Sequence, residues 1–193
     1  MPVGRRTRRN LVAAALAVVA VLTSACTTSD DSATGTKGYI TGDGTVTVLP
    51  PDERPQAPEV AGELLGGGTL DVSTYAAQVV VLNVWGSWCP PCRAEAADLV
   101  AASKSLPDAA FVGLDTRDKE AEAEAFVRRY EVPYPSLVDQ DSQLLLLFHG
   151  IVNLSSVPTT IVIDPDGLVA AFITGATTKT TLVDLVEQIQ AGG

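Results

Sequence analysis

Val79-Val80-Val81-Leu82-Asn83-Val84-Trp85-Gly86-Ser87-Trp88-Cys89-Pro90-Pro91-Cys92 is the stretch on which the fold turns. Its first seven residues are apolar apart from Asn83 and rich in β-branched side chains, which marks a strand buried on both faces. After it comes a helical period, with Cys92, Ala96, Leu99, Ser103 and Leu106 on one face. The two cysteines therefore stand where a strand gives way to a helix. There, unpaired backbone N–H groups and the helix macrodipole favour negative charge, so Cys89 forms a thiolate more readily than a free thiol does. The three-residue offset lets the second sulfur reach the first, so one thiolate attacks a disulfide and the other resolves the product. Pro90 and Pro91 lack N–H groups, which costs little at a helix start, and they stiffen the turn. A stapling disulfide and half of a metal site are the other readings. Closing so small a loop removes little unfolded-state entropy, which makes a staple a poor use of the pair.

Outward from this point the chain alternates strands and helices. Val60–Leu65 and Thr69–Val72 flank Gly66-Gly67-Gly68 as a small hairpin. Ala109–Leu114 reads as a strand. A helix follows from an Asp118 cap to Tyr130, with Ala123, Val127 and Tyr130 on one face and Glu124 four residues before Arg128. A short strand at Ser136–Val138 and a helix over Asp141–Phe148 come next. Strands at Thr159–Asp164 and Leu168–Thr174 are joined by the turn Asp164-Pro165-Asp166-Gly167. A last helix carries Leu182, Leu185, Val186 and Ile189 at helical spacing. The expected class is α/β, with helices packed on a mixed sheet.

The 193 residues suit one domain with appendages. Three cysteines and the lone His149 are too few for a zinc array without carboxylates, and no metal site is expected. A net charge of −10 offers no basic patch for a phosphate backbone, so no nucleic-acid partner is expected. At the N-terminus, Arg5, Arg6, Arg8 and Arg9 precede an apolar run of 12 residues, Leu11–Leu22, and then Thr23-Ser24-Ala25-Cys26. This is a signal-peptide layout over residues 1–25, too short to span a bilayer. Thr23-Ser24-Ala25-Cys26 resembles the lipobox of bacterial lipoproteins, which makes Cys26 the lipidated first residue of the mature chain; a secreted protein with unlipidated Cys26 is the alternative. Thr7-Arg8-Arg9-Asn10-Leu11 also resembles a twin-arginine export signal. Without residues 1–25 the balance is 9 basic against 23 acidic side chains, a net of −14, so the body is repelled by anionic head groups and hangs from its lipid. Residues 26–57, rich in Ser, Thr, Asp, Gly and Pro, are expected to be a flexible tether with a short strand at Thr45–Leu49, ahead of a folded domain over 58–193.

The run Leu82-Asn83-Val84-Trp85-Gly86-Ser87-Trp88-Cys89-Pro90-Pro91-Cys92-Arg93-Ala94-Glu95 closely resembles the TlpA/ResA branch of thioredoxin-like thiol-disulfide oxidoreductases. Phe126–Tyr130, Tyr134-Pro135, Val157–Thr160 and Ile163–Gly167 extend the resemblance over about residues 57–189. It implies a thioredoxin-like fold, a mixed central sheet flanked by helices, with an N-terminal hairpin and a central α/β insertion. It implies no cofactor beyond a redox-active Cys89–Cys92 disulfide. Cys89 is then the nucleophile and Cys92 the resolving thiol. Glu95, one helical turn beyond Cys92, is the carboxylate that moves protons or tunes the pair. Asn83 stands where cytosolic thioredoxins place a buried Asp, and an amide cannot carry a proton. Val157-Pro158 matches a cis-proline loop facing the cysteines; with Trp88, Pro90 and Pro91 it is expected to receive the substrate segment. Ala97 departs from the Pro common in relatives, and Ile151–Ser156 is longer than the usual connection before the cis-proline. His149 reads as a helix-end cation or surface group and Trp85 as core.

The function implied is a membrane-anchored reductase of exported proteins with cysteines, with the haem-site cysteines of apocytochrome c as the first substrate to test. Outside the membrane it would draw electrons from a transmembrane thiol donor. The rival readings are a disulfide oxidase, a thiol peroxidase and a non-catalytic peptide-binding module.

Overall fold

The computed structural model describes residues 37–41, 44–154 and 156–192. Residues 1–36, including the expected signal peptide and Cys26, lie outside them. A seven-stranded sheet runs in the order β1-β2-β9-β8-β5-β6-β7. Its members are β1 (Lys37–Thr41), β2 (Gly44–Val48), β5 (Val79–Trp85), β6 (Ala109–Thr116), β7 (Ser136–Asp139), β8 (Thr159–Ile163) and β9 (Val169–Thr174). Strands β5, β6 and β7 are parallel, whereas β8, β9, β2 and β1 join by antiparallel pairing. A separate hairpin, β3 (Ala61–Glu63) with β4 (Thr69–Asp71), packs beside β7. Helices α1 (Pro90–Ser105), α2 (Glu120–Tyr130), α3 (Gln143–Leu146) and α4 (Lys179–Gln190) fill the connections.

Every residue of β5 is buried, because alternate side chains feed two cores. Val79 and Val81 meet Leu99, Ala102 and Leu106 of α1 and Leu182, Leu185, Val186 and Ile189 of α4. Val80, Leu82 and Val84 point the other way, into a core with Val60, Leu137, Leu145 and Phe148. By the same alternation Asn83 and Trp85 fall on the α1 side. This puts a polar and an aromatic side chain directly under the start of α1. That start is set by Cys89, whose sulfur accepts the Cys92 N–H, and by prolines at the first two helical positions.

Three details differ from the sequence expectation. Residues 44–57 are folded, not a tether: Val46 is fully buried in the α1/α4 core, β2 pairs with β9, and Ala57 N donates to Gly167 O at 2.9 Å. Arg54 reinforces this, reaching Asp164 Oδ2 at 3.1 Å with both side chains only 6% exposed, and donating to Leu49 O at 3.2 Å. Helix α3 is one turn and not the whole of 141–148, because Ser142 adopts a left-handed φ of 57° and the Asp139 carboxylate takes the N–H groups of Leu144 and Leu145. The buried anchor of α2 is Phe126 beside Ala123, with Val127 and Tyr130 only partly covered. His149, three residues past the end of α3, is exposed, as a surface group there would be, and its N–H donates to Leu146 O at 3.0 Å.

Replacing Arg54 by Ala leaves the buried Asp164 without its cation, and Asp164 also holds the β8–β9 turn through Asp166 N and Leu168 N. A loss of about 3 kcal/mol in urea unfolding is expected, the cost of breaking a buried pair by removing one partner. An unchanged midpoint would show residues 44–57 to be a dispensable appendage.

Candidate active site

The chain turns out of β5 at Gly86, and the next residues are held from three sides. Ser87 donates its N–H and its hydroxyl to Asp118, the latter at 2.8 Å, and Arg93 Nη1 donates to Ser87 O at 2.8 Å. Trp88 Nε1 donates to Thr116 O at 3.1 Å, which lays the indole back over Gly86, where a side chain would collide with it. Asp118 was expected to cap α2. Lys119 occupies that position without capping the helix through its side chain, and the buried Asp118 carboxylate instead clamps the turn that carries Cys89.

Cys89 and Cys92 are joined at an S–S distance of 2.10 Å. The Cys92 N–H donates to Cys89 Sγ at 3.2 Å, and Val157 O lies 3.5 Å from the same sulfur. Each cysteine is only 1% exposed. They sit in an apolar cluster with Trp85, Ala96, Ala123 and Phe126, and Trp85 stacks on Phe126 with ring centroids 4.4 Å apart. A substrate sulfur must approach in line with the bond it attacks, so part of this rim has to yield for exchange to occur. Pro90 and Pro91 are exposed on one side of the pair. On the other, the Val157–Pro158 peptide is cis; Pro158 is buried with its carbonyl taken by Gly175 N at 2.9 Å, and Val157 is half-buried. The expected redox and substrate-binding residues thus converge at one end of the central strands β5 and β8, while Cys26 lies outside the described residues.

Glu95 is 2% exposed and lies beneath the pair. Its Oε1 accepts from Asn83 Nδ2 at 3.1 Å and its Oε2 from Thr177 N at 2.8 Å, while Asn83 Nδ2 also reaches Thr160 Oγ1 at 3.1 Å. Asn83 carries no proton, but it fixes the group that can. Burial pushes the Glu95 carboxyl up to about 7; the Thr177 and Asn83 hydrogen bonds oppose this and the charge of Asp98 adds to it. Burial, with Glu95 adding, also raises the Tyr134 hydroxyl above its ordinary value. A cavity of about 10 Å³, barely one water, lies against Cys92, Asn83, Trp85 and Tyr134. Across β5 from this carboxylate, Asp115 pairs with Trp85 in register and is buried with Oδ1 unpartnered. Burial, then the Asp118 and Asp139 charges, pushes it up to about 8. Sequence reading missed Asp115, Asp118 and Thr177. An acid closing the buried strand Ala109–Thr116 was the available signal for the first.

A family profile described as the AhpC/TSA family matches residues 54–172. The chain belongs to that family. Among curated proteins it is similar to the thiol-disulfide oxidoreductase ResA of Bacillus subtilis, 28% identical over 142 residues, covering 72% of this chain and 77% of that one. Among solved structures it is similar to a secreted thiol-disulfide isomerase from Corynebacterium glutamicum, at 30% identity and TM-score 0.70, covering 80% of this chain and 98% of the other. It is likewise similar to a DsbF homologue from Corynebacterium diphtheriae, at 32% identity and TM-score 0.69, covering 80% and 99%. The protein is a thioredoxin-fold thiol-disulfide oxidoreductase of the ResA/DsbE type.

Because the folded-state pKa of Glu95 lies above its unfolded value, its contribution to stability is full below about pH 4.5 and is lost as pH rises through about 7. That loss amounts to about 3 kcal/mol. In the oxidised protein, Glu95→Gln should remove this share of the decline in urea-unfolding free energy between pH 4 and 8, leaving only the same-signed share from Asp115. The same slope in both proteins would mean that Glu95 is already ionised at pH 5.

Proposed function

We propose that this protein is a reductase of disulfides in exported proteins, working outside the cytoplasm and held at the outer face of the cell membrane by a lipid on Cys26. The observation that carries the direction of electron flow is the buried Glu95 carboxylate with its pKa of about 7. Above that pH a fixed negative charge lies in a low-dielectric pocket one turn from Cys92, and it raises the energy of any thiolate formed there. The nearby cations Arg93 and Arg117 are on the exposed rim, in water. A dithiol whose thiolates are disfavoured tends to give its electrons away, the opposite of an oxidant whose reduced form is stabilised.

In this scheme the reduced Cys89 thiolate attacks one sulfur of a substrate disulfide, the other substrate sulfur leaves as thiolate, and a mixed disulfide forms. Glu95 takes the Cys92 proton, and the Cys92 thiolate attacks Cys89 Sγ. The second substrate thiolate leaves, and the Cys89–Cys92 bond closes as it stands here. Two electrons have passed to the substrate, so a dithiol donor must return them; for an outward-facing protein that donor is a transmembrane thiol protein. Trp88, Pro90, Pro91 and the Val157 backbone border the path by which a substrate segment reaches Cys89. Similarity to secreted oxidoreductases supports the extracytoplasmic setting, and Thr23-Ser24-Ala25-Cys26 supports the lipid. The haem-site cysteines of apocytochrome c are the first substrate to test.

Cys92→Ser expressed in the native envelope should accumulate mixed disulfides on Cys89, and their partners name the substrates. Equilibration of the wild-type domain with a thiol buffer should give a potential well below that of DsbA, about −120 mV. A value near that of DsbA would reverse the direction and make the protein an oxidase.

A further inference from the structure

Three large apolar side chains are conspicuously exposed among the described residues: Trp88 at 44%, Leu146 at 50% and Leu147 at 44%. All three lie at the end of the sheet where the parallel strands β5, β6 and β7 stop, and where Cys89 sits. A run of hydrogen bonds links them. Trp88 Nε1 donates to Thr116 O, Thr116 Oγ1 and Ser142 Oγ are 2.9 Å apart, and Leu146 N donates to Ser142 O at 3.0 Å.

Two guanidinium groups border this apolar surface. Arg117 lies over the Trp88 ring, 5.1 Å from its centroid, on a backbone with φ of 53°, a conformation that side chains other than glycine and asparagine seldom adopt. Arg93 is fixed by its bond to Ser87 O. Both residues are exposed, and neither is ion-paired among the described residues. The carboxylates nearest in sequence are turned inward, Asp118 onto Ser87 and Lys119 N, and Glu95 onto Asn83 and Thr177 N. In a chain of net charge −10, these two guanidinium groups put exposed positive charge beside the reacting cysteine. At physiological ionic strength charge is screened beyond about 8 Å, so a bound segment feels the exposed arginines chiefly where it touches them.

We infer that this rim is a docking surface for an extended polypeptide segment that carries carboxylate side chains next to apolar ones beside its cysteine. The apolar residues lie on Trp88, Leu146 and Leu147, and the carboxylates meet Arg117 and Arg93. Basic segments are disfavoured by the same charges, so the surface sorts exported cysteine proteins by what flanks the disulfide. The inference rests on the oxidoreductase activity and adds to it a class of substrate.

The test uses the reduced full chain and three synthetic peptides with one intramolecular disulfide and a flanking Leu, differing only in an adjacent Asp, Asn or Lys. kcat/KM should fall in the order Asp, Asn, Lys, by about threefold to fivefold per step at low salt, and the order should flatten at 0.5 M NaCl. Arg117→Glu should reverse the order and Arg117→Lys should keep it. Replacing Leu146 and Leu147 together by Ser should raise KM more than it lowers kcat. Equal rates on all three peptides, or an order that survives Arg117→Glu, overturn the docking surface while leaving the oxidoreductase intact. Failure to reduce any of the three overturns both.

Discussion

One buried carboxylate joins the parts of this molecule that the chemistry needs in register. Glu95 extends from α1, takes a hydrogen bond from Asn83 in β5 and another from Thr177 at the turn into α4, and through Asn83 it is linked to Thr160 in β8. The same α1 begins with Cys89 and Cys92, and the same β8 begins just after Val157 and Pro158. Fixing Glu95 therefore fixes the distance between the sulfurs and the segment that covers them. Burying a carboxyl is unfavourable, and two donors offset only part of that cost. The remainder shows as a pKa near neutrality, which is what a group passing a proton at physiological pH requires.

The cysteine turn is held from the opposite side by a second acid. Asp118 grips Ser87, and Asp115 next to it is pushed up to about 8 by burial and by the Asp118 charge. The two sides differ in what they do. Glu95 lies under Cys92 and can exchange a proton with the pair, whereas Asp118 spends its oxygens on backbone and hydroxyl donors and acts as a positioning group. Between them the Trp88–Cys89 peptide has little freedom. The reactive sulfurs are thereby set in place before a substrate arrives.

The parts legible in sequence were those with a short-range signature. The buried run Val79–Trp85, the prolines after Cys89, the Asp164–Gly167 turn and the apolar period of α4 each declare themselves within a dozen residues. What escaped depends on partners distant in the chain. Asn83 reads as a lost proton carrier until Glu95 and Thr160, 12 and 77 residues away, are seen to use its amide. Asp118 reads as a helix cap because a cap needs only local spacing, while its true partner, Ser87, is 31 residues upstream. Residues 44–57 read as linker because their composition is polar, yet a single buried Val46 and the Arg54–Asp164 pair are enough to fasten them to the sheet. Phe126 was overlooked for a different reason: in a helix dominated by Glu and Ala, its apolar face is only two side chains wide.

The distribution of charge around the cysteines carries the last step. Carboxyl groups are buried near the pair and arginines are exposed on its rim, so the two kinds of group sit in different dielectric surroundings. Charge below the sulfurs acts on thiolates through low dielectric and governs how readily electrons leave. Charge on the rim acts through water, is screened by salt, and bears only on which segment settles there. The two can therefore vary independently: substitutions at Arg93 or Arg117 change the choice of substrate with little effect on redox potential, and a change at Glu95 does the reverse. A thiol-disulfide fold shared by proteins of different redox direction needs such a separation, because the same Cys-Pro-Pro-Cys turn has to be poised by what lies under it and addressed by what surrounds it.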